Sequence, residues 1–149
     1  MSTEERLYSL AAQLKRLEAY MNDLINREAT IVRFIQDARL AIDAIRGLDT
    51  REGGEDLYTL MPIGIGVYVH AKISTKDKLL VSVGSGIAVE KSREDAIAYI
   101  ESRVKELESA LLSISKQKQE LQSRIEGIRG EMNSIVQQMQ GQERQMQKG

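Results

Sequence analysis

No cysteine and no tryptophan occur among these 149 residues, and proline, phenylalanine and histidine appear once each. Without cysteine the chain forms no disulfide and offers no thiolate metal ligand, which suits a reducing compartment. Aromatic residues make up only 4% of the sequence. Compact cores draw much of their buried area from large rings, so a thick globular core is not expected. A surplus of one charge is also missing: 21 basic against 22 acidic residues leave a net −1. That balance gives no general pull toward nucleic acid. No apolar run approaches the roughly 20 residues that span a bilayer. The start, Met1-Ser2-Thr3-Glu4-Glu5-Arg6, is polar and acidic where a signal peptide would carry an apolar region. The composition predicts a soluble, intracellular, cytoplasmic protein with no membrane partner.

What is present is a heptad pattern on either side of a short β-like segment. Ser2 followed by Glu5 has the form of a capping box. One seam row then runs Leu7, Leu14, Met21, Glu28, Ile35, Ile42 and the other Leu10, Leu17, Leu24, Ile31, Ala38, Ile45. Glu28 is the only polar member of the twelve. Six successive heptads exceed the three or four that mark a coiled coil. The pattern predicts a helix over 4–46, ended by a left-handed Gly47.

Residues 47–56 read as a polar connector centred on Gly53-Gly54. Leu57–Pro62 follows as a short apolar strand, with Pro62 at an edge or at the strand end. Ile65, Val67, Val69, Ala71 and Ile73 alternate with Gly66, Tyr68, His70 and Lys72, the period of a half-buried strand. Ser74-Thr75-Lys76-Asp77 reads as a hairpin loop. Leu79, Val81 and Val83 form a third strand, Gly84-Ser85-Gly86 a tight turn, and Ile87–Glu90 a fourth strand. The β region as a whole is assigned to 57–91. Four such strands with so little to cover them cannot be stable alone.

A Ser92 cap and the acids Glu94 and Asp95 open a second helix. Its seam rows are Ile97, Val104, Leu111, Lys118, Ile125, Met132, Met139, Met146 and Ile100, Leu107, Ile114, Leu121, Ile128, Ile135, Gln142. The helix is expected over 92–142, with 143–149 a frayed tail. Gly127 and Gly130 each weaken it by ~1 kcal/mol relative to alanine. Since the connecting segment leaves and re-enters at one place, the simplest topology is an antiparallel coiled coil with the sheet patch at its closed end. The polar breaks Glu28 and Lys118 then fall at comparable depth. They either pair and help fix register or are two independent solvent-accessible breaks.

Catalytic constellations are scarce. His70 lies opposite the apolar strand row and reads as an ordinary strand residue; the alternative, a ligand or general base, has no second histidine or cysteine to support it. Gly64-Ile65-Gly66 and Gly84-Ser85-Gly86 extend into neither a GxGxxG nor a GxxxxGK[ST] pattern, and Gly86 precedes a strand. Turn glycines account for both. The acidic residues are scattered along helix faces as solvated charges usually are. No catalytic residue, cofactor or metal ligand is assigned. At the opposite end, Leu7, Leu10 and Leu14 face Met132, Ile135 and Met139. They form either plain coiled-coil core or adaptable apolar tips suited to promiscuous binding.

The run Leu57-Tyr58-Thr59-Leu60-Met61-Pro62-Ile63-Gly64, then Val67–Ile73, then Val81-Ser82-Val83-Gly84-Ser85-Gly86-Ile87-Ala88-Val89-Glu90-Lys91-Ser92 and Asp95-Ala96 resembles the α-class subunit of prefoldin, most like its archaeal form. The likeness covers the whole chain in architecture and residues 57–96 in motif. It departs at Met61, where valine before the proline is more usual, and at Gly127 and Gly130. The resemblance implies a mainly α fold with two β-hairpins at the closed end of a long two-helix coiled coil. It implies an ATP-independent co-chaperone, not an enzyme, in which two α-class chains join four β-class chains around a β-barrel platform. Non-native or nascent polypeptides would be held at the coiled-coil tips and passed to a group II chaperonin. Assembly residues under this reading are Leu57, Leu60, Pro62, Val67, Val69, Val81, Val83, Gly84, Gly86 and Val89, and client-binding residues are Leu7, Leu10, Leu14, Met132, Ile135 and Met139. Open strand edges are an aggregation hazard unless paired, which is the physical case for partner chains.

A filament-forming or scaffold coiled coil of the same build is the alternative, and the resemblance includes a filament-forming variant. A nucleic-acid-associated arm fits less well. Lys116, Lys118, Arg124 and Arg129 are interrupted by Glu120, Glu126 and Glu131, as on a solvated mixed-charge face.

Overall fold

The computed structural model describes residues 2–48, 56–74, 76 and 78–149. In chain order the elements are α1 (Thr3–Leu48), β1 (Leu57–Gly64), β2 (Val67–Ile73), β3 (Leu79–Gly84), β4 (Ile87–Lys91) and α2 (Arg93–Lys148). Both helices start as their sequences direct. The Ser2 Oγ accepts from the Glu5 amide at 3.2 Å and the Ser92 Oγ from the Asp95 amide at 3.1 Å, each satisfying a first-turn donor.

Two compact units divide the chain: one comprises the residues up to Val32 together with Glu108–Gly149, the other Arg33–Leu107. In the first unit α1 and α2 pack through the expected seam. Leu24 is 1% exposed and is clustered with Ile114 and Leu121, with Leu17, Met21 and Ile31 packed around them. Leu10, Ile125 and Ile135 are buried as well. Polar pairs flank the seam. Arg6 pairs with Glu131, the Tyr20 hydroxyl donates to Gln117 at 3.2 Å, and Arg129 donates to Glu18 at 2.8 Å. From Arg6 to Tyr20 the chain advances fourteen residues, and from Glu131 to Gln117 it retreats by the same number. The pairing is therefore antiparallel and in constant register over two heptads.

The polar seam breaks meet. Lys118 Nζ donates to both carboxylate oxygens of Glu28 at 3.3 Å, with both side chains about two-thirds buried. An aliphatic stem packs while the charge is paired, so the seam is crossed by an ion pair without a stranded charge.

In the second unit Ile35 and Ile42 of α1 are buried, and Ala96, in the first turn of α2, is completely so. Arg46 and Glu101 form an ion pair across the helices at 3.3 Å. The strands form two separate antiparallel pairs, β1 with β2 and β3 with β4. They share one design, offset by twenty residues. Each has a register irregularity just before a glycine, between Pro62 and Gly64 and between Ser82 and Gly84. Each then turns through two residues of positive φ: Ile65 at 48° and Gly66 at 73°, Ser85 at 54° and Gly86 at 74°. That is the pattern of a type I′ hairpin turn. For the β-branched Ile65 this conformation costs on the order of 1–3 kcal/mol.

Several boundaries differ from the sequence expectation. α1 continues to Leu48, and Gly47 is helical rather than a left-handed terminator. Most of the expected connector, including Gly53-Gly54, lies outside the described residues. β1 passes through Pro62, which is tolerated because it sits at the irregularity, on a hairpin strand with a single partner. Ile65 belongs to a turn rather than to the second strand. Ser74–Asp77 is not a hairpin loop: β2 and β3 do not pair, and the segment joins two hairpins. Thr75 and Asp77 lie outside the described residues. α2 continues through the expected tail to Lys148, where Gln, Glu, Arg, Met and Lys are good helix formers even where no seam holds them.

If the Glu28–Lys118 pair helps set register, Glu28→Lys and Lys118→Glu should each destabilise the chain by about 1 kcal/mol. That corresponds to roughly 2–4 °C in a chain of this size. The double exchange should recover most of the loss in thermal melts; a double variant no better than the singles would remove the pair from any structural role.

Candidate functional site

The β-hairpins carry many exposed apolar side chains, among them Tyr58, Leu60, Ile63, Tyr68, Leu80 and Ile87. Among the described residues, every strand has one hydrogen-bonded partner and one open edge. Register places Leu57, Thr59 and Met61 on one face of the first hairpin with Val69, Ala71 and Ile73 opposite. The other face carries Tyr58, Leu60 and Pro62 beside Tyr68, His70 and Lys72. Of the expected assembly residues, Leu57 and Val81 are half-buried, while Leu60, Pro62, Val67, Val69, Val83, Gly84, Gly86 and Val89 are exposed. The structure thus brings these ten positions onto two hairpins but covers them only at the roots. There, Lys72 bonds Asp56 at 3.0 Å and lies 6.0 Å from the Tyr58 ring, while Lys91 lies 5.6 Å from that of Tyr99.

This arrangement can extend a sheet. An open edge offers unpaired N–H and C=O groups to an added strand, and apolar faces gain about 25 cal/mol for each Å² that a partner covers. Two-stranded hairpins are marginal by themselves. His70 sits across from Leu60 on an exposed face that it shares with Lys72. Among the described residues no group of three or more His, Cys, Asp or Glu could hold a metal ion. No described helix is long and apolar enough to cross a membrane.

The expected tip residues lie in the other unit and are mostly seam. Leu10 and Ile135 are buried, and Leu7, Leu14, Met132 and Met139 are half-buried. Beside them runs an apolar groove of roughly 380 Å³ lined by Leu7, Tyr8, Ala11, Met132 and Val136, with Glu4 at its rim. Tyr8, Ala11 and Val136 escaped the heptad reading. Each directly follows a seam residue (Leu7, Leu10 or Ile135) and widens the apolar stripe past the two seam rows. Tyr8 is 80% exposed and Met146, the last seam methionine, 84%. Phe34, the sole phenylalanine, is also exposed and lines a groove with Tyr99, Ile100 and Leu107 in the hairpin-bearing unit.

Because each hairpin is only two strands wide and mostly exposed, its backbone amides should exchange with solvent at least ~100-fold faster than those of Leu17–Ile31 when the chain is alone. Equal protection in both regions would mean that the chain itself stabilises its sheets.

Comparison with known proteins bears on both regions. The family model described as Prefoldin subunit matches residues 3–138. A prefoldin subunit alpha from Nitrosopumilus maritimus is 36% identical over 138 residues, covering 93% of each chain. One from Methanocorpusculum labreanum is 33% identical, covering 89% of this chain and 93% of the relative. Among solved structures, filamentous PFD from Methanocaldococcus jannaschii matches with a TM-score of 0.53 at 29% identity, covering 86% of this chain and 98% of the other. The prefoldin beta subunit from Thermococcus strain KS-1 matches with a TM-score of 0.58, covering 87% and 90%; at 14% identity it speaks for the fold alone. With two long helices, two hairpins and a match along most of its length, the chain belongs to the prefoldin subunit family, in its alpha class.

Proposed function

We propose that this chain is the α-class subunit of an ATP-independent cytoplasmic co-chaperone. In that role two copies join four β-class chains, hold non-native polypeptides at the coiled-coil tips and deliver them to a group II chaperonin. The observation that carries the reading is the pair of isolated hairpins, each with open edges and apolar faces left uncovered. Leu57, Leu60, Pro62, Val67, Val69, Val81, Val83 and Val89 supply the assembly surface, and Gly84 and Gly86 shape one turn of it. Residues 57–91 act as the assembly region, and the paired helices as the arm that carries the tip. The reading assigns no catalytic step, cofactor or nucleic-acid contact to any residue.

At the tip, the groove beside Leu7 and Met132 is the client surface, with Tyr8 and Val136 as its exposed members. Leu10, Leu14, Ile135 and Met139 support it from the seam. Weak contacts through tyrosine, methionine and aliphatic side chains suit capture and release without nucleotide, because no single contact is strong enough to trap a client. A self-assembling filament is the second reading, favoured by the likeness to a filamentous relative.

Native mass spectrometry of the chain, alone and mixed with a β-class subunit, separates the two. A defined assembly of two and four supports the co-chaperone; filaments that ignore the β-class subunit support the scaffold. For the tip, Tyr8→Ser with Val136→Ser should cut suppression of client aggregation several-fold while leaving assembly and melting unchanged. Undiminished suppression would move the client surface elsewhere. Leu10→Ser is a poorer probe, since it unpacks a buried seam position and costs ~2–4 kcal/mol of stability.

A further inference from the structure

We infer that Ile65, at the tip of the first hairpin, is an apolar anchor that seats on a hairpin of the β-class partner; this rests on the assembly proposed above. Two independent penalties meet at this residue. Its φ of 48° places a β-branched side chain in the left-handed region, where Asn or Gly at the same turn position is strongly preferred. Its relative exposure is 104%, so no packing within the chain offsets either the strain or the contact with water.

The chain carries its own control. Twenty residues on, the second hairpin makes the same two-residue turn with the same irregularity before it, and there the matching residue is Ser85, at 54°. Turn geometry therefore demands no isoleucine. Exposed Ile63 and Val67 flank Ile65 and make the first tip an apolar knob, whereas serine breaks the corresponding run in the second hairpin. Strain kept at a fully exposed apolar position points to a surface that covers it in the assembled state.

The tip joins the open strands β1 and β2 directly, since Gly64 pairs with Val67 on either side of Ile65 and Gly66, so a partner strand that runs the length of either edge ends beside Ile65. In the proposed hexamer each chain of this type has four β-class companions and one of its own kind. The occupant assigned here is accordingly a β-class hairpin, with aliphatic side chains to receive the isoleucine.

The test is Ile65→Asn, with Ser85→Asn as its control, read as the subunit concentration at which half the hexamer forms with a β-class partner. Asparagine relieves the turn, so lost assembly cannot be put down to a damaged hairpin. Amide exchange over residues 57–73 should be no faster than in the wild type. Ile65→Asn should raise the half-assembly concentration about tenfold, and Ser85→Asn should leave it unchanged. Assembly of Ile65→Asn equal to or tighter than the wild type overturns the inference. Weaker self-association of this chain with an unchanged hexamer would assign the anchor to a second copy and overturn the occupant named here. A wild-type chain that forms no hexamer at all overturns the assembly reading, and this inference with it, before any variant is compared.

Discussion

Leu24, clustered with Ile114 and Leu121, marks the centre of a seam only one side chain deep, and the organisation of its unit depends on that seam. A pair of helices has no second layer. Each buried residue is held by a few neighbours on the opposite helix, and stability comes from repeating the contact rather than from thickness. The polar pairs along its flanks, Arg6–Glu131 and Glu18–Arg129, are exposed and contribute little energy individually. What they add is direction and register, because a slip of one heptad would misalign them together. Glu28–Lys118 does the same from within the seam, where an unpaired charge would cost far more than an exposed one. The seam thus specifies how the helices align while leaving Tyr8, Tyr20 and Ile25 exposed on the outside.

The hairpins have the opposite difficulty. With no tryptophan, one phenylalanine and, among the described residues, only the two helices of the seam, the chain has little with which to cover four strands on two faces. Nor do the strands cover one another, since they form two pairs rather than one sheet. The shortage of aromatics and the open strand edges are one fact seen at two levels, composition and topology. Both favour the proposed assembly, in which partner chains would cover the hairpins.

The helices were legible because the heptad signal repeats: the seam rows name every buried side chain of α1 and α2 except Ala96, in the first turn of α2. Turns were less legible for a physical reason. A two-residue turn preserves parity, so Ile63, Ile65 and Val67 keep the period of two straight through the bend, and alternation extends the strand across it. Only the flanking Gly64 and Gly66 mark the turn, and the polar Ser74–Asp77 cluster imitates a hairpin loop while joining two hairpins. Helix ends were misplaced for the same kind of reason. A glycine permits a left-handed residue without requiring one, so Gly47 stays helical. At the tip the seam rows found the support but not the exposed surface, because Tyr8 and Val136 lie one residue off the seam.

The glycines of α2 and those of the hairpins differ in physical terms. A Cβ added at Gly127, Gly130 or Gly141 would meet nothing within 4 Å, and none of the three has a positive φ. Neither space nor backbone geometry requires them, yet each costs the helix about 1 kcal/mol relative to alanine. All three fall in the half of α2 that carries Met132 and Val136 of the groove, beyond Leu121 and its cluster. By contrast, the glycines of the hairpins occupy positive-φ positions that an L-residue enters only under strain. In the hairpins glycine fixes a conformation; along α2 it lowers the cost of leaving one. For an arm that must fit itself to clients of different shape and let them go without nucleotide, the second use of glycine suits the proposed role as well as the first suits a rigid platform.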